Sequence, residues 1–285
     1  MLVICRGFLL VKLHAPNKGH PVNKGLVLNI CVKHILIYKK NTLAVVDKSQ
    51  PRLFLQAFTF KIERSDKEHF KFQQELSHAA ENGTLPDDIR IEIDKMLAAD
   101  LIILQFPMYW LGMPAILKGW IDRCFAEKVV FDTMSLKWFD NGPFINKKIM
   151  LSFTAGGTED FFSNSGIFGD MDVILWPIQN MLRFTGFQVL APQISHAPAD
   201  VSENQRTCML QMWSDRLQTI WKEEPLSFVH VKHFDPEKGF KLSEKYLSKL
   251  KDGDSGPNPG QNLGRSFRQG SMTKVAGISK KHSNL

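Results

Sequence analysis

Cysteine is scarce in this chain, and its placement excludes more than its number does. Cys5, Cys31, Cys124 and Cys208 are the four cysteines of 285 residues. They stand far apart with no C-x-x-C pair, which argues against a disulfide framework and against a cysteine zinc site. A reducing, cytosolic setting is the default expectation. Long apolar runs are missing too: none reaches the ~18 uncharged residues that a spanning helix requires. The first residues, Met1 to Lys12, are apolar in flavour, but Arg6 interrupts them and no small-residue cleavage pattern follows, so a soluble chain is expected. The formal charge of +7 is concentrated in the lysine-rich stretch after Pro225, while the central block is nearly balanced. Basic residues interleaved with aromatics on one surface, as nucleic-acid binding wants, are lacking, and the tail reads as a solvated charged segment.

What the chain does contain is most concentrated between Leu101 and Phe125. Leu101-Ile-Ile-Leu-Gln105 is a short apolar run of the kind buried in a parallel sheet. It meets Pro107, passes through the aromatic stretch Tyr109-Trp110, and reaches Pro114, where an amphipathic segment opens with proline in its first turn. Loops at the carboxyl ends of parallel strands are where doubly wound sheets bind ligands. An aromatic loop braced by two prolines offers a flat wall for a planar ring. A second such loop follows: Lys147 to Phe153 reads as another buried strand, and Thr154-Ala-Gly-Gly157 comes directly after it. Paired glycines let backbone N–H groups approach a ligand, because no Cβ intervenes.

Around these loops the pattern is that of an α/β protein. Ile89, Ile93, Met96 and Leu97 recur at helical spacing behind Pro86, Asp87 and Asp88, and this helix feeds the Leu101 strand. Phe187 to Leu190 is expected as the last strand. Asn204 to Trp221 is expected as an amphipathic helix burying Met209, Met212, Trp213, Leu217 and Ile220. Nearer the amino terminus, 25–32, 34–38, 43–46 and 53–55 are strand-like, and Asp252 to Gly270 has a loop composition.

The ordered words Ala98-Ala-Asp100, Gln105-Phe-Pro107, Pro114-Ala-Ile-Leu-Lys-Gly-Trp120, Gly169-Asp170, Val173-Ile-Leu-Trp-Pro-Ile-Gln179, Gly186-Phe-Gln-Val-Leu190 and Leu217-Gln-Thr-Ile-Trp-Lys-Glu-Glu-Pro225 resemble the NAD(P)H:quinone oxidoreductases, FAD-dependent quinone reductases. The resemblance implies a flavodoxin-like, doubly wound parallel sheet with helices on both faces and a carboxyl-terminal extension. It divides the chain into a divergent amino-terminal segment at 1–60, a flavin-binding core at 61–226 and the extension with a flexible tail at 227–285. It further implies a cytosolic homodimer holding FAD, with NADH or NADPH as donor and quinones as substrates. Two electrons pass as hydride by a ping-pong mechanism, without nucleic acid, membrane or metal. Histidines that bind zinc in one branch of the family are replaced around Asn180 and at Arg183.

By the same resemblance Pro107, Met108, Tyr109, Trp110 and Leu111 flank the flavin ring. Thr154, Ala155, Gly156 and Gly157 meet its pyrimidine edge. Phe131 and Phe184 close the quinone pocket with Trp110, and part of that lining comes from the partner subunit. Asp122 matches an acidic position on the helix after the aromatic loop, and Arg206 an arginine near the FAD pyrophosphate. Two family features are absent. The phosphate loop H-x-x-x-x-S-F-N has no counterpart after His34. The tyrosine and histidine that donate to the reduced flavin are Phe162 and Phe168, so a catalytically silent, dimeric binding protein is the alternative reading. His196 is expected on an exposed turn before the final helix.

Overall fold

The structure, a computed structural model, describes residues 34–39, 42–47, 68–250 and 258–261. The strand-like runs at 25–32 and 53–55 lie outside these residues. The sheet has the order β2-β1-β3-β4-β5, with β6 also on β4. Its strands are β1 (His34–Lys39), β2 (Thr42–Asp47), β3 (Leu101–Pro107), β4 (Lys148–Ala155), β5 (Gln188–Val189) and β6 (Gln193–His196). The helices are α1 (Phe72–Glu81), α2 (Asp87–Ala98), α3 (Ala115–Cys124), α4 (Met171–Phe184), α5 (Glu203–Thr219) and the short α6 (Glu244–Leu247).

β3 and β4 pair in parallel, Ile102 opposite Ile149, Leu104 opposite Leu151 and Phe106 opposite Phe153. Side chains alternate across a strand, so these six share one face. They join a single cluster with Leu76 of α1, Ile89, Ile93 and Met96 of α2, Leu117 and Ile121 of α3, and Leu175 and Leu182 of α4. Leu101, Ile103 and Met150, on the opposite face, are also at most 1% exposed. Burial on both faces explains why β3 reads as an unbroken apolar run instead of alternating.

The parallel core extends through β5 and β6, each parallel to β4. The amino-terminal hairpin departs from an all-parallel sheet: β1 runs antiparallel to β3, with Ile35 opposite Leu104 and Tyr38 opposite Leu101. An antiparallel edge on a parallel core is common in large sheets, but it has a consequence for ligand binding. Lys39 and Thr42, facing each other at the hairpin end, lie by the amino-terminal end of β3. The carboxyl end of β1 is therefore at the opposite end of the sheet from the loops after β3 and β4.

Several expected boundaries move. α2 buries Ile89, Ile93 and Met96, but Leu97 is exposed, one position off the stripe. α5 buries Trp213 and Leu217, with Ile220 just beyond it, while Met212 is exposed for the same reason. Its start is a capping box, in which Ser202 and Gln205 satisfy each other's backbone N–H. Phe187 to Leu190 is not the last strand, since β6 follows. Beyond α5, residues 258–261 form a turn in which Asn258 is 1% exposed, so this part of the loop-like tail is packed.

Candidate flavin and quinone site

The parallel register sets Pro107 beside Thr154 at the carboxyl ends of β3 and β4. One further bond, Met108 N–H to Thr154 O at 2.8 Å, ties the aromatic loop to the glycine loop. Thr154 and Ala155 prove to be strand residues, so the loop proper begins at Gly156. Immediately after Met108 the chain reverses: Tyr109 N–H donates to Gly112 O at 3.1 Å and Gly112 N–H returns to Tyr109 O at 3.0 Å. The two central residues, Trp110 and Leu111, have φ of 50° and 59°. Left-handed backbone at both positions ordinarily selects Asn-Gly, and a bulky residue there stores strain of about 1–3 kcal/mol. Trp110 gains no packing in return, being fully exposed at 102%. The chain therefore holds a large aromatic ring out in solvent at an energetic disadvantage, as functional loops do.

Across the tie lies the glycine loop. A Cβ built on Gly156 would meet nothing within 4 Å, so its backbone faces open space. A Cβ on Gly157 would come within 2.9 Å of the Phe161 ring and 3.1 Å of Phe162. Only glycine lets these rings lie on the loop. Phe162 is buried and stacks on the half-exposed Phe168, ring centroids 5.2 Å apart at 18°. His196, expected on an exposed turn, is instead the last residue of β6, opposite Ala155. Its ring lies 5.9 Å from Phe162, and its Nδ1 is buried with no hydrogen-bond partner. Burial pushes the imidazole pKa down, outweighing the hydrogen bond to the Gly157 backbone and the charge of Glu159.

A second cluster gathers the expected pocket wall. Phe131 lies 5.0 Å from Phe184. Trp138 and Phe139 close on Phe184 at 5.9 and 5.2 Å, and Phe240 of the extension stands edge-on to Trp138. Trp138, Phe139 and Phe240 are pocket-wall residues beyond those expected from sequence; the adjacent pair Trp138-Phe139 is the signal the sequence offers for them. Among the described residues no ring contact joins this wall to Trp110 or to Phe162.

Two expected site residues have partners of their own. Asp122 pairs with Lys118 on α3 at 2.6 Å. Arg206 donates to Val201 O at 2.6 Å, to Pro198 O at 3.3 Å and to Glu203 at 2.9 Å, which pins the turn before α5. Among the described residues no three His, Cys, Asp or Glu side chains converge to hold a metal ion. No helix there is long and apolar enough to cross a membrane.

Comparison with known proteins agrees with this fold. Residues 51–217 match the flavodoxin-like fold family. The chain is 41% identical to rat NAD(P)H dehydrogenase [quinone] 1 over 75% of its own length and 78% of that protein. It is 45% identical to human ribosyldihydronicotinamide dehydrogenase [quinone], over 60% of this chain and 73% of the relative. A proposed quinone reductase of Klebsiella pneumoniae superposes with a TM-score of 0.57 at 30% identity, covering 78% of this chain and 85% of that one. The chain belongs to the flavodoxin-like NAD(P)H:quinone oxidoreductase family.

Proposed function

We propose that this protein is a flavin-dependent oxidoreductase, of the FAD type, that carries two electrons as hydride from NADH or NADPH to quinones by a ping-pong mechanism. The observation that carries the reading is the tie from Met108 N–H to Thr154 O, which sets a solvent-held aromatic ring and an open glycine backbone side by side at the carboxyl edge of a parallel sheet. The residues fit the flavin ring. Gly156 leaves room for a planar edge against its N–H, and Trp110 offers a face to stack on. When bound, the flavin supplies the hydride chemistry; the protein supplies position and electrostatics. Pro107 to Leu111 would flank the ring, Gly156 and Gly157 would present backbone groups to its polar edge, with Thr154 and Ala155 holding that loop from β4, and Phe131 and Phe184 would shield the reacting face from water.

Two features slow the reaction. Phe162 and Phe168 put hydrocarbon where a donor would stabilise developing negative charge, and removing one such donor typically costs ~3 kcal/mol. The diphosphate of FAD finds little grip among the described residues, because the carboxyl end of β1 is at the wrong end of the sheet and Arg206 is engaged with its own turn. These same features favour a second reading, a silent homologue acting as a dimeric binding protein. Tyr109, Trp110, Leu111, Met134 and Ile167 are exposed apolar residues, and we assign them to contact with a second copy of the chain. Purified protein supplied with FAD, NADPH and a small quinone decides the matter. Flavin-dependent NADPH oxidation supports the enzyme; bound flavin without turnover supports the silent reading.

A further inference from the structure

The Arg183 guanidinium is the least expected group in the interior. It sits in the last turn of α4, 7% exposed, where burial pushes its pKa down and the charge of Asp140 partly offsets this. A buried arginine is tolerated only where its charge and donors are matched. Here the match is partial, Nε having no hydrogen-bond partner, and it comes from two pieces of chain remote in sequence. The guanidinium lies 4.7 Å from the Phe139 ring and 5.2 Å from the Phe228 ring, a sandwich that suits a planar cation. Its Nη2 donates to Val229 O.

Val229 is gripped from its other side too. Its N–H donates to Asn258 Oδ1 at 3.4 Å, and Asn258 Nδ2 donates to Ser227 O at 3.5 Å. Two residues on, Val231 N–H donates to Asp140 Oδ2 at 2.6 Å. The stretch from Ser227 to Val231 thus has side chains in place of a strand partner. Arg183 and Asp140 are the members of this set that belong to the core. Phe139, one face of the sandwich, stands edge-on at 88° to Phe184, the neighbour of Arg183 and part of the wall with Phe131.

We infer that Arg183 is a positioning residue: by clasping residues 227–231 of the extension against Phe139, it fixes the aromatic wall Phe131–Phe184 and so sets the shape of the quinone pocket. The clasp rests on the proposed role of that wall in binding quinone. Arginine is needed because it alone combines a permanent charge, a flat face for two rings and donors directed in plane. Lysine keeps the charge but not the sandwich, and methionine keeps only volume.

Hydrogen exchange on wild-type, Arg183→Lys and Arg183→Met protein tests the coupling without reference to activity. In the Met variant, peptides covering 226–233 and 131–140 both exchange faster, by about tenfold or more, while 87–107 stays as in the wild type. The Lys variant falls between. Acceleration confined to 226–233, with 131–140 unchanged, overturns the inference, because the extension would then be held without acting on the wall. Asn258→Ala, which loosens the same segment from its far side, gives the same two-peptide signature and serves if the Met variant does not fold. In the kinetic arm the KM for quinone rises about fivefold or more while kcat changes less than about twofold, the pattern of lost uniform binding. A fall in kcat at constant KM overturns the assigned role. Wild-type protein with no reductase activity defeats the proposed function, and the exchange arm still decides whether Arg183 couples extension and wall.

Discussion

Gly156→Ala separates stability from ligand binding, because the structure gives the two opposite signs. No atom lies within 4 Å of the added Cβ, and Gly156 is not among the glycines with left-handed φ. Alanine at a compatible site stabilises by roughly 0.4–1 kcal/mol, mainly by reducing the freedom of the unfolded chain. For a domain of this size that raises Tm by about 1–4 °C. The same methyl group projects into the space assigned to the flavin edge. Forcing a rigid ring away from its contacts is an overpacking effect of about 1–3 kcal/mol, so affinity falls by a factor of about 5 to about 150. Gly157→Ala is the contrasting control: its Cβ drives into Phe161 and Phe162, so it destabilises the flavin-free protein by about 1–3 kcal/mol. Thermal unfolding without flavin and titration of flavin fluorescence read both quantities. Unchanged flavin affinity in a stable Gly156→Ala protein would refute the placement of the ring, and a lower Tm without flavin would refute the open space.

Trp110→Asn should leave stability unchanged or raise it by up to about 1 kcal/mol, since asparagine accepts left-handed φ and the indole buries nothing; urea titration checks this, and the quinone KM should rise. Arg216 donates to Ala191 O, Pro192 O and both oxygens of Glu223 at 2.6–3.0 Å, so Arg216→Met strands a buried carboxylate and should lose about 3–5 kcal/mol in the same titration. The pKa of His196 is lowered on folding, so its contribution is complete above the unfolded value of about 6.5 and declines as pH falls through that value. His233 acts in the same direction; His196→Gln should therefore flatten, without abolishing, the fall in Tm between about pH 6.5 and 5. Phe162→Tyr with Phe168→His should speed flavin reduction by NADPH about tenfold or more in stopped flow, within the ~3 kcal/mol limit for such a donor; an unchanged rate in the loaded double variant would place the barrier elsewhere.

The parts of the fold legible in the sequence are those set by local pattern. Pro107 and Pro114 bracket the aromatic loop because proline fits a strand end and a helix start. The Ile89-Ile93-Met96 stripe marks α2. Pairing direction is not local: His34 to Lys39 reads as a strand whichever way it runs, and only its register against Leu101 to Leu104 shows it antiparallel. β6 was hidden because Gln193-Ile-Ser-His196 is short and holds a single apolar residue, and with it the contact of the partly buried His196 with Phe162. The set of contacts made by Arg183 spans residues 139 to 229, and no window of sequence joins them. The candidate loops were readable because their residue types carry the chemistry; the wall of Trp138, Phe139 and Phe240 was not, because two stretches about a hundred residues apart in the chain assemble it.

Flavin occupancy is the most direct test of the site. Purified protein, incubated with FAD and desalted, should show flavin absorbance with about one flavin per chain, held more weakly than by relatives that keep the phosphate loop and lost on dilution. A folded protein that stays colourless at every FAD concentration tried would contradict the placement of Trp110, Gly156 and Gly157 around a flavin, and the proposed function with it.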